Sequence, residues 1–249
     1  MENNIMNRHT FGGVIIGASL AAGLIISSVQ ITRVWLHIAD SQIITVTGAA
    51  RQNVTSDSAI WSADFSSEAK TMAEAQLKLK AYADKVEAFF NDRGVTNAEI
   101  SAISIQRLKP QSNTFGGDDA SKTTIGYHLQ QNIRLESTNV QQVVNLQQQS
   151  VGLVEQGVEL DDQGIAFIYT KAAEAKIEML AEATKDARLR AEQIASQGGR
   201  KVKGLKSARM GVFQITGTNS NETSAEGIND TASKDKSIRS VVSATFTME

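Results

Sequence analysis

Apolar and polar residues follow two different periods along the chain. Apolar residues recur at steps of three and four over residues 71–93, 139–157 and 171–197, which predicts three helices with one buried face each. Thr71 and Glu74 have the spacing of a capping box at the start of the first helix. The stripe predicted to be buried on the third helix consists of Ile177, Leu180, Ala187, Ala191 and Ile194.

Segments of alternating or β-branched character lie between these helices and predict strands. They cover residues 44–48, 59–65, 100–108, 124–135, 165–170, 201–216 and 237–248. The order of helix, strand, polar loop and strand occurs twice. The chain is therefore predicted to have an α+β fold with two similar halves, about 40–138 and 139–249.

Two polar loops, 110–122 and 217–236, are too long for tight hairpin turns. Loops of this length in a compact domain are functional or lack a fixed structure, and both loops are predicted to be mobile tips. The candidate contact residues on the loop tips are Thr114, Phe115, Asn219 and Asn221.

Residues 10–32 form a run of 23 positions without a charge. As a helix this run would be roughly 35 Å long, enough to cross a bilayer core of about 30 Å. A cleaved signal peptide has a shorter apolar region, so an uncleaved transmembrane anchor over residues 10–36 is favoured and cleavage is the alternative. The apolar anchor residues are Phe11, Val14, Ile15, Ile16, Leu20, Leu24, Ile25, Ile26, Val29 and Ile31.

Charges beside the run do not decide its orientation, because Glu2 offsets Arg8 on one flank while Arg33 lies on the other. A short tail, one span and a large following domain are typical of a signal anchor. This order predicts that the tail 1–9 is cytoplasmic and that residues 40–249 are exported.

Composition excludes several kinds of function. The chain carries 25 Lys and Arg against 27 Asp and Glu, a net charge of −2, which argues against an obligate nucleic-acid binder. It has no cysteine, so disulfides, thiol nucleophiles and zinc–thiolate sites are absent.

Residues with the chemistry for catalysis are scattered. His128 has no evident partner, and the pair Asp161 and Asp162 precedes Gly164 in what reads as a solvated turn. No nucleophile elbow, metal-ligand spacing or phosphate loop occurs. The sequence therefore predicts no enzymatic activity, no metal and no cofactor.

Several segments together resemble a known family. They are a strand ending in Gly48, a strand with alternating Trp61, Ala63 and Phe65, an AEAQ-type helix, the strand YHLQQNIRL, and later IAFIYT followed by a long helix. In this order they are similar to the SIMPL domain of YggE-like bacterial envelope proteins. The resemblance covers nearly all of residues 42–249.

This resemblance implies an α+β fold, an envelope location, ring-like homo-oligomers in some members and a link to oxidative stress. It implies no established enzymatic activity. We therefore expect a single-pass protein of the bacterial inner membrane, with a periplasmic domain that self-assembles and has a structural or interaction role. Its expected partners are the lipid bilayer and further copies of itself. The alternative is a tethered binding module that holds a small molecule or peptide in a cleft between its halves.

Overall fold

The computed structural model describes residues 19–32, 42–110 and 124–249. The helices in these ranges are α1 (19–32), α2 (Met72–Asn91), α3 (Val140–Gln149), α4 (Val151–Glu155) and α5 (Ala172–Gln197). The strands are β1 (Ile43–Thr55), β2 (Ser58–Ala69), β3 (Ala98–Ile100), β4 (Ser104–Leu108), β5 (Gly126–Ser137), β6 (Glu159–Ile168), β7 (Val202–Met210), β8 (Gln214–Gly217), β9 (Ile228–Asn229) and β10 (Asp235–Met248). The predicted α+β class is confirmed.

The predicted membrane anchor is described only in part. Residues 19–32 form α1, whereas 10–18 and 33–36, like the tail 1–9, lie outside the described residues. In the described ranges, no helix combines the length and the apolar character that crossing a membrane requires. The anchor stays a prediction.

One sheet has the strand order β3–β5–β2–β6, and β4 also pairs with β5. Its strands are antiparallel, with β2 paired to β5 on one side and to β6 on the other. The alternation predicted for β2 is confirmed, because Trp61, Ala63 and Phe65 are all 0% exposed. Strand β5 adds Leu129, Ile133 and Leu135 to this core. Helices α2, α3 and α4 contribute further residues, among them Leu79, Val86, Phe90, Val143, Leu146 and Leu153.

Helix α2 forms where the sequence predicts it because the residues that determine its start lie next to one another in the sequence. The Thr71 hydroxyl accepts a hydrogen bond from the Glu74 amide, and the Glu74 carboxylate accepts one from the Thr71 amide. This reciprocal pair satisfies two of the amides that a helix start leaves free. The buried face of α2 then packs on the sheet through Leu79, Tyr82 and Val86.

The second sheet has the order β1–β10–β8–β9, and β7 also pairs with β10. Strand β10 thus has one long neighbour, β1, and two short ones, β7 and β8. Strand β5 of the first sheet has the same surroundings, with β2 as the long neighbour and β3 and β4 as the short ones. The two sheets therefore share this pattern of strand pairing.

The chain divides into two compact units. The first unit consists of Ala181–Gly211, Val241–Glu249 and the described residues up to Ala49. In it α5 packs closely on the sheet: a Cβ atom on Gly48 would lie 2.7 Å from the Ala187 Cβ, and closer still to the backbone of α5. Ala183, Ala187 and Ala191 are all 0% exposed, because only small side chains fit there.

The second unit consists of Ala50–Leu180 and Val212–Ser240. It contains the core under α2 and a smaller cluster of Ala175, Met179, Ile215 and Ile238. The predicted boundary near residue 138 is not tested by this division, and the predicted halves stay predictions.

Two predicted helices differ from the structure. The stretch 139–157 breaks at Ser150, whose hydroxyl donates to the Gln147 carbonyl; Leu153 is buried beyond the break, and Val151 and Val154 are exposed. On α5, the buried stripe contains Ala187 and Ala191 as predicted. Ile177, Leu180 and Ile194 are exposed instead, and the buried places belong to Ala175, Met179, Ala183 and Ala195.

Predicted strands also differ in extent. Strand β1 does not end at Gly48 but continues to Thr55. The predicted strand 100–108 is divided into β3 and β4, because the Ser101 hydroxyl takes the Asn132 amide away from regular pairing. The predicted strand 201–216 is likewise divided, into β7 and β8.

Candidate functional site

The polar loop between β8 and β10 contains more regular structure than its composition predicts. It includes β9, which pairs in parallel with β8. The Gln214 side chain, 8% exposed, binds Ser224 from both sides: its Nε2 donates to the Ser224 carbonyl at 2.6 Å and its Oε1 accepts from the Ser224 amide at 3.3 Å. A buried amide side chain thus replaces the backbone pairing that the loop lacks, and the mobility predicted for this loop stays a prediction.

Asp230 organises the second part of this loop. Its Oδ1 accepts hydrogen bonds from the Ala232 amide at 2.7 Å and the Ser233 amide at 3.3 Å, and its carbonyl accepts one from the Lys236 ammonium. Burial by itself raises the pKa of Asp230, but hydrogen bonds from Ser233 and Ala232 and the charge of Lys236 outweigh it and hold the pKa below its ordinary value. Asp230 is thus ionised at neutral pH.

A groove of about 760 Å³ runs beside this loop within the second unit. We call it the loop groove. Its lining residues are Asn53, Val54, Thr55, Gly217, Thr218, Asn219, Ser220, Ser233 and Asp235. Side chains of hydroxyl and amide type dominate this lining, with Asp235 as its carboxylate, so the groove suits a neutral ligand that donates and accepts hydrogen bonds.

Hydrogen bonds fix the walls of the loop groove. Thr55 Oγ1 donates to Asp235 Oδ1 at 2.8 Å, and Arg51 Nη2 donates to the Thr218 carbonyl at 2.8 Å. The Thr218 hydroxyl is buried and makes no hydrogen bond within the described residues. A buried hydroxyl without a hydrogen-bond partner costs free energy.

The candidate contact residues of the sequence differ in their placement. Asn219 is exposed and lines the loop groove, whereas Asn221 is exposed and is not part of its lining. Thr114 and Phe115 lie outside the described residues. The loop groove also uses Asn53 to Thr55 of β1, which sequence reasoning missed because nothing local relates that strand to a loop more than 160 residues later.

The scattered titratable residues have structural partners. His128 Nδ1 lies 3.0 Å from Glu68 Oε1 on the neighbouring strand. The turn predicted at Asp161 and Asp162 is wrong, because both belong to β6, but both are exposed to solvent as predicted. Asp162 accepts hydrogen bonds from Trp61 Nε1 at 2.9 Å and from Gln147 Nε2 at 2.7 Å. The exposed Asp162 carboxylate thus satisfies the indole N–H of the buried Trp61.

Apolar side chains are exposed at one margin of the β2–β5 sheet. Ile103, Ile105 and Ile125 are 40%, 53% and 55% exposed, and we call them the β4 margin. Ile105 lies opposite Leu129 in the register of β4 and β5, and Leu129 is 1% exposed. Residues directly opposite each other share a face of the sheet. The β4 margin therefore continues the core face of this sheet into solvent.

Comparison with protein-family models matches residues 44–246 to SIMPL, described as a protein of unknown function (DUF541). The match includes β1, both sheets and the loop groove. No curated protein matches the chain. Since the family model spans far more than half of the sequence, the chain belongs to the SIMPL family.

Proposed function

We propose that this SIMPL protein is anchored in the bacterial inner membrane by one helix over residues 10–36 and places its domain in the periplasm. There it assembles into a homo-oligomer, ring-like in form, and has a structural or interaction role in the envelope that is linked to stress tolerance. It acts by binding and assembly, without catalysis, metal or cofactor. The lipid bilayer and further copies of the chain are its partners.

Exposure along α1 supports the anchor. Each of residues 19–32 is exposed, and the apolar ones include Leu20, Leu24, Ile25, Ile26, Val29 and Ile31. A helix that is apolar on all sides needs an apolar environment on all sides. Together with the uncharged residues that flank it in the sequence, α1 fits a lipid environment.

The β4 margin carries the proposal of self-assembly. Its isoleucines are half exposed although they continue a core face, and exposed apolar patches of this kind mark interaction surfaces. Strand β4 pairs on one side only among the described residues, so its other edge presents free backbone groups. A second copy supplies both an apolar face and a strand edge, which a lipid surface does not.

Light scattering of the full-length protein in detergent, with the detergent contribution subtracted, tests self-assembly. We expect a discrete multiple of 26.8 kDa. Ile105→Lys puts a charge on the β4 margin and should reduce this mass. Leu77→Lys is the control, because Leu77 is 72% exposed on α2, away from the strand edge.

A single-subunit mass for the unmodified protein would refute self-assembly. An unchanged oligomer in Ile105→Lys would refute the β4 margin as the interface.

A tethered binding module is the second candidate function, and the loop groove favours it. The groove draws residues from both predicted halves, and it holds the buried Thr218 hydroxyl without a partner. A ligand that binds only the native state raises its stability by RT ln(1 + [L]/Kd). We therefore expect a neutral hydroxyl-rich compound or a short peptide to raise the melting temperature.

Two asparagine variants make this test specific. Asn53→Ala alters the wall of the loop groove and should abolish the rise in melting temperature. Asn221→Ala changes an exposed residue outside the groove and should leave it unchanged. A flat response over a broad panel of sugars and peptides would count against this candidate.

A further inference from the structure

A second, smaller cavity of about 240 Å³ lies within the second unit, and Asp230 is part of its lining. We call it the Lys236 cavity. Its walls include the aromatic residues Phe167, Tyr169 and Phe213 and the apolar residues Ile215 and Ile228. Ligand sites for drug-sized molecules measure about 300–1,000 Å³, so this one suits a smaller molecule with an apolar body.

Lys236 is the unusual member of the wall. It is 1% exposed, and its ammonium donates to the Asp230 carbonyl, which is the one hydrogen bond that it makes among the described residues. An ammonium has three donors, so two of them lack a protein acceptor where water barely reaches. Burial lowers the pKa of Lys236 and outweighs the opposing attraction of the Asp230 carboxylate. The protein therefore keeps a costly group in this wall.

The other charges of the cavity favour an anion. Lys176 stands at the exposed rim, with its Nζ 5.9 Å from the centre of the Phe213 ring. Asp230 is the carboxylate of the same wall. Its Oδ1 is engaged by the Ala232 and Ser233 amides, and its Oδ2 lies 3.5 Å from where a Cβ of Gly217 would be. Two ammonium groups thus outnumber one carboxylate, which leaves a net positive charge.

We propose that the Lys236 cavity binds a small carboxylate with an aromatic or branched aliphatic body. The carboxylate takes the free donors of Lys236, with Lys176 as the second cation. The apolar body packs on Phe167, Tyr169 and Phe213. This site is separate from the loop groove, and it does not depend on self-assembly, so failure of either proposed function leaves it standing.

Calorimetric titration of the full-length protein in detergent, against a blank of detergent alone, tests the site. The probes are phenylacetate and 4-methylpentanoate, each compared with its neutral amide. We expect one acid molecule per chain and an affinity for the acid at least about tenfold above that for the amide, because a charge-assisted hydrogen bond is lost with the amide.

Two variants identify the residues. Lys236→Met keeps the length of the side chain and should remove the preference for the acid, while Ile228→Trp fills the cavity and should abolish binding. Lys206→Met changes an exposed lysine of β7 and should behave like the unmodified protein.

The site would be refuted by any of three results. These are absence of binding by both acids, equal affinity for acid and amide, and an undiminished preference in folded Lys236→Met. If Lys236→Met does not fold, the comparison of acid with amide and the Ile228→Trp variant test whether the Lys236 cavity binds the acid.

Discussion

Asp57 connects the turn between β1 and β2 to the start of α5. The Thr170 amide donates to Asp57 Oδ1 and the Thr170 hydroxyl to Oδ2, both at 2.8 Å. Burial by itself raises the pKa of Asp57, but these hydrogen bonds outweigh it and hold the pKa below its ordinary value. One carboxylate therefore fixes a turn that contains no proline.

We expect Asp57→Ala to lower the free energy of unfolding by about 2 kcal/mol at pH 7, because it removes two hydrogen bonds to a charged group. The folded pKa is depressed, so the contribution of Asp57 is complete above its unfolded pKa of about 3.8 and disappears as the pH falls through the lower folded value. Urea unfolding of both proteins at pH 7 and near pH 3 measures whether the difference in their free energies of unfolding becomes smaller at the lower pH. Asp84→Ala, at an exposed position of α2, is the control; an equal deficit at both pH values would contradict the role.

Lys236 gives a pH dependence of the same sign, but in the alkaline range. Its folded pKa lies below the ordinary value of 10.5, so the unfolded chain binds more protons between these two values. Native stability should consequently rise as the pH increases toward 10.5, and Lys236→Met should lose this rise. Melting temperatures of both proteins between pH 7 and 10 test it, and parallel curves would show that Lys236 is not buried in its charged form.

The roles of these two residues could not be predicted from the sequence, and the reason is physical. Asp57 reads as a turn residue because its partner, Thr170, is 113 positions away. Lys236 reads as a loop residue because the predicted strand begins at 237, whereas β10 begins at Asp235. Asn219 could be predicted because polarity alone marks a loop tip, but the β1 wall of the loop groove depends on tertiary contacts.

At the scale of the element, Gly48 determines how α5 packs in the first unit. No side chain fits at Gly48, since a Cβ there would collide with the backbone of α5 at Ala183 and Ala187. Alanines consequently occupy the buried face of the helix. The helical spacing of apolar residues predicts Ile177 and Ile194 on this face, yet they are 73% and 57% exposed. Close backbone approach, which hydrophobicity does not register, decides this face.

Gly48→Ala should therefore destabilise the protein by about 3 kcal/mol, the upper range for overpacking. Gly204→Ala in β7 provides a matched control, because no atom lies within 4 Å of its added Cβ. Urea unfolding of both variants compares the same chemical change in a closed and an open position. Equal stability of the two variants would show that α5 does not lie so close to β1.

The elements that the sequence predicts well are those with local signals. Helix α2 has a capping box, one apolar stripe and a glycine after its last turn, and the structure reproduces it within two residues at each end. Strand β2 is predicted by the alternation of apolar and polar residues along it. The stretch 139–157 fails because its apolar valines fit one continuous helix, while Ser150 ends α3 and rotates the following turn so that Leu153 faces the core.

At the scale of the whole molecule, the first strand pairs with the last. Thr45 Oγ1 and Thr245 Oγ1 lie 2.9 Å apart across 200 positions of sequence. Periodicity predicts each of these strands but not their pairing, because the partners lie far apart in the sequence. Strand β1, which begins at Ile43, is also the first strand after the proposed anchor in the sequence.

The anchor itself makes the last prediction. If residues 10–36 span the bilayer, arginines at Leu24 and Ile25 place two charges in the middle of the uncharged run, at a cost of about 2.5–3.5 kcal/mol each. The double variant should leave the membrane fraction on alkaline carbonate extraction, while the unmodified protein and Leu77→Lys stay in it. If the domain faces the periplasm, as proposed, protease added to spheroplasts should digest it in the unmodified protein. Extraction of the unmodified protein by carbonate would refute the anchor. Protection of the domain from protease would indicate the opposite orientation in the membrane.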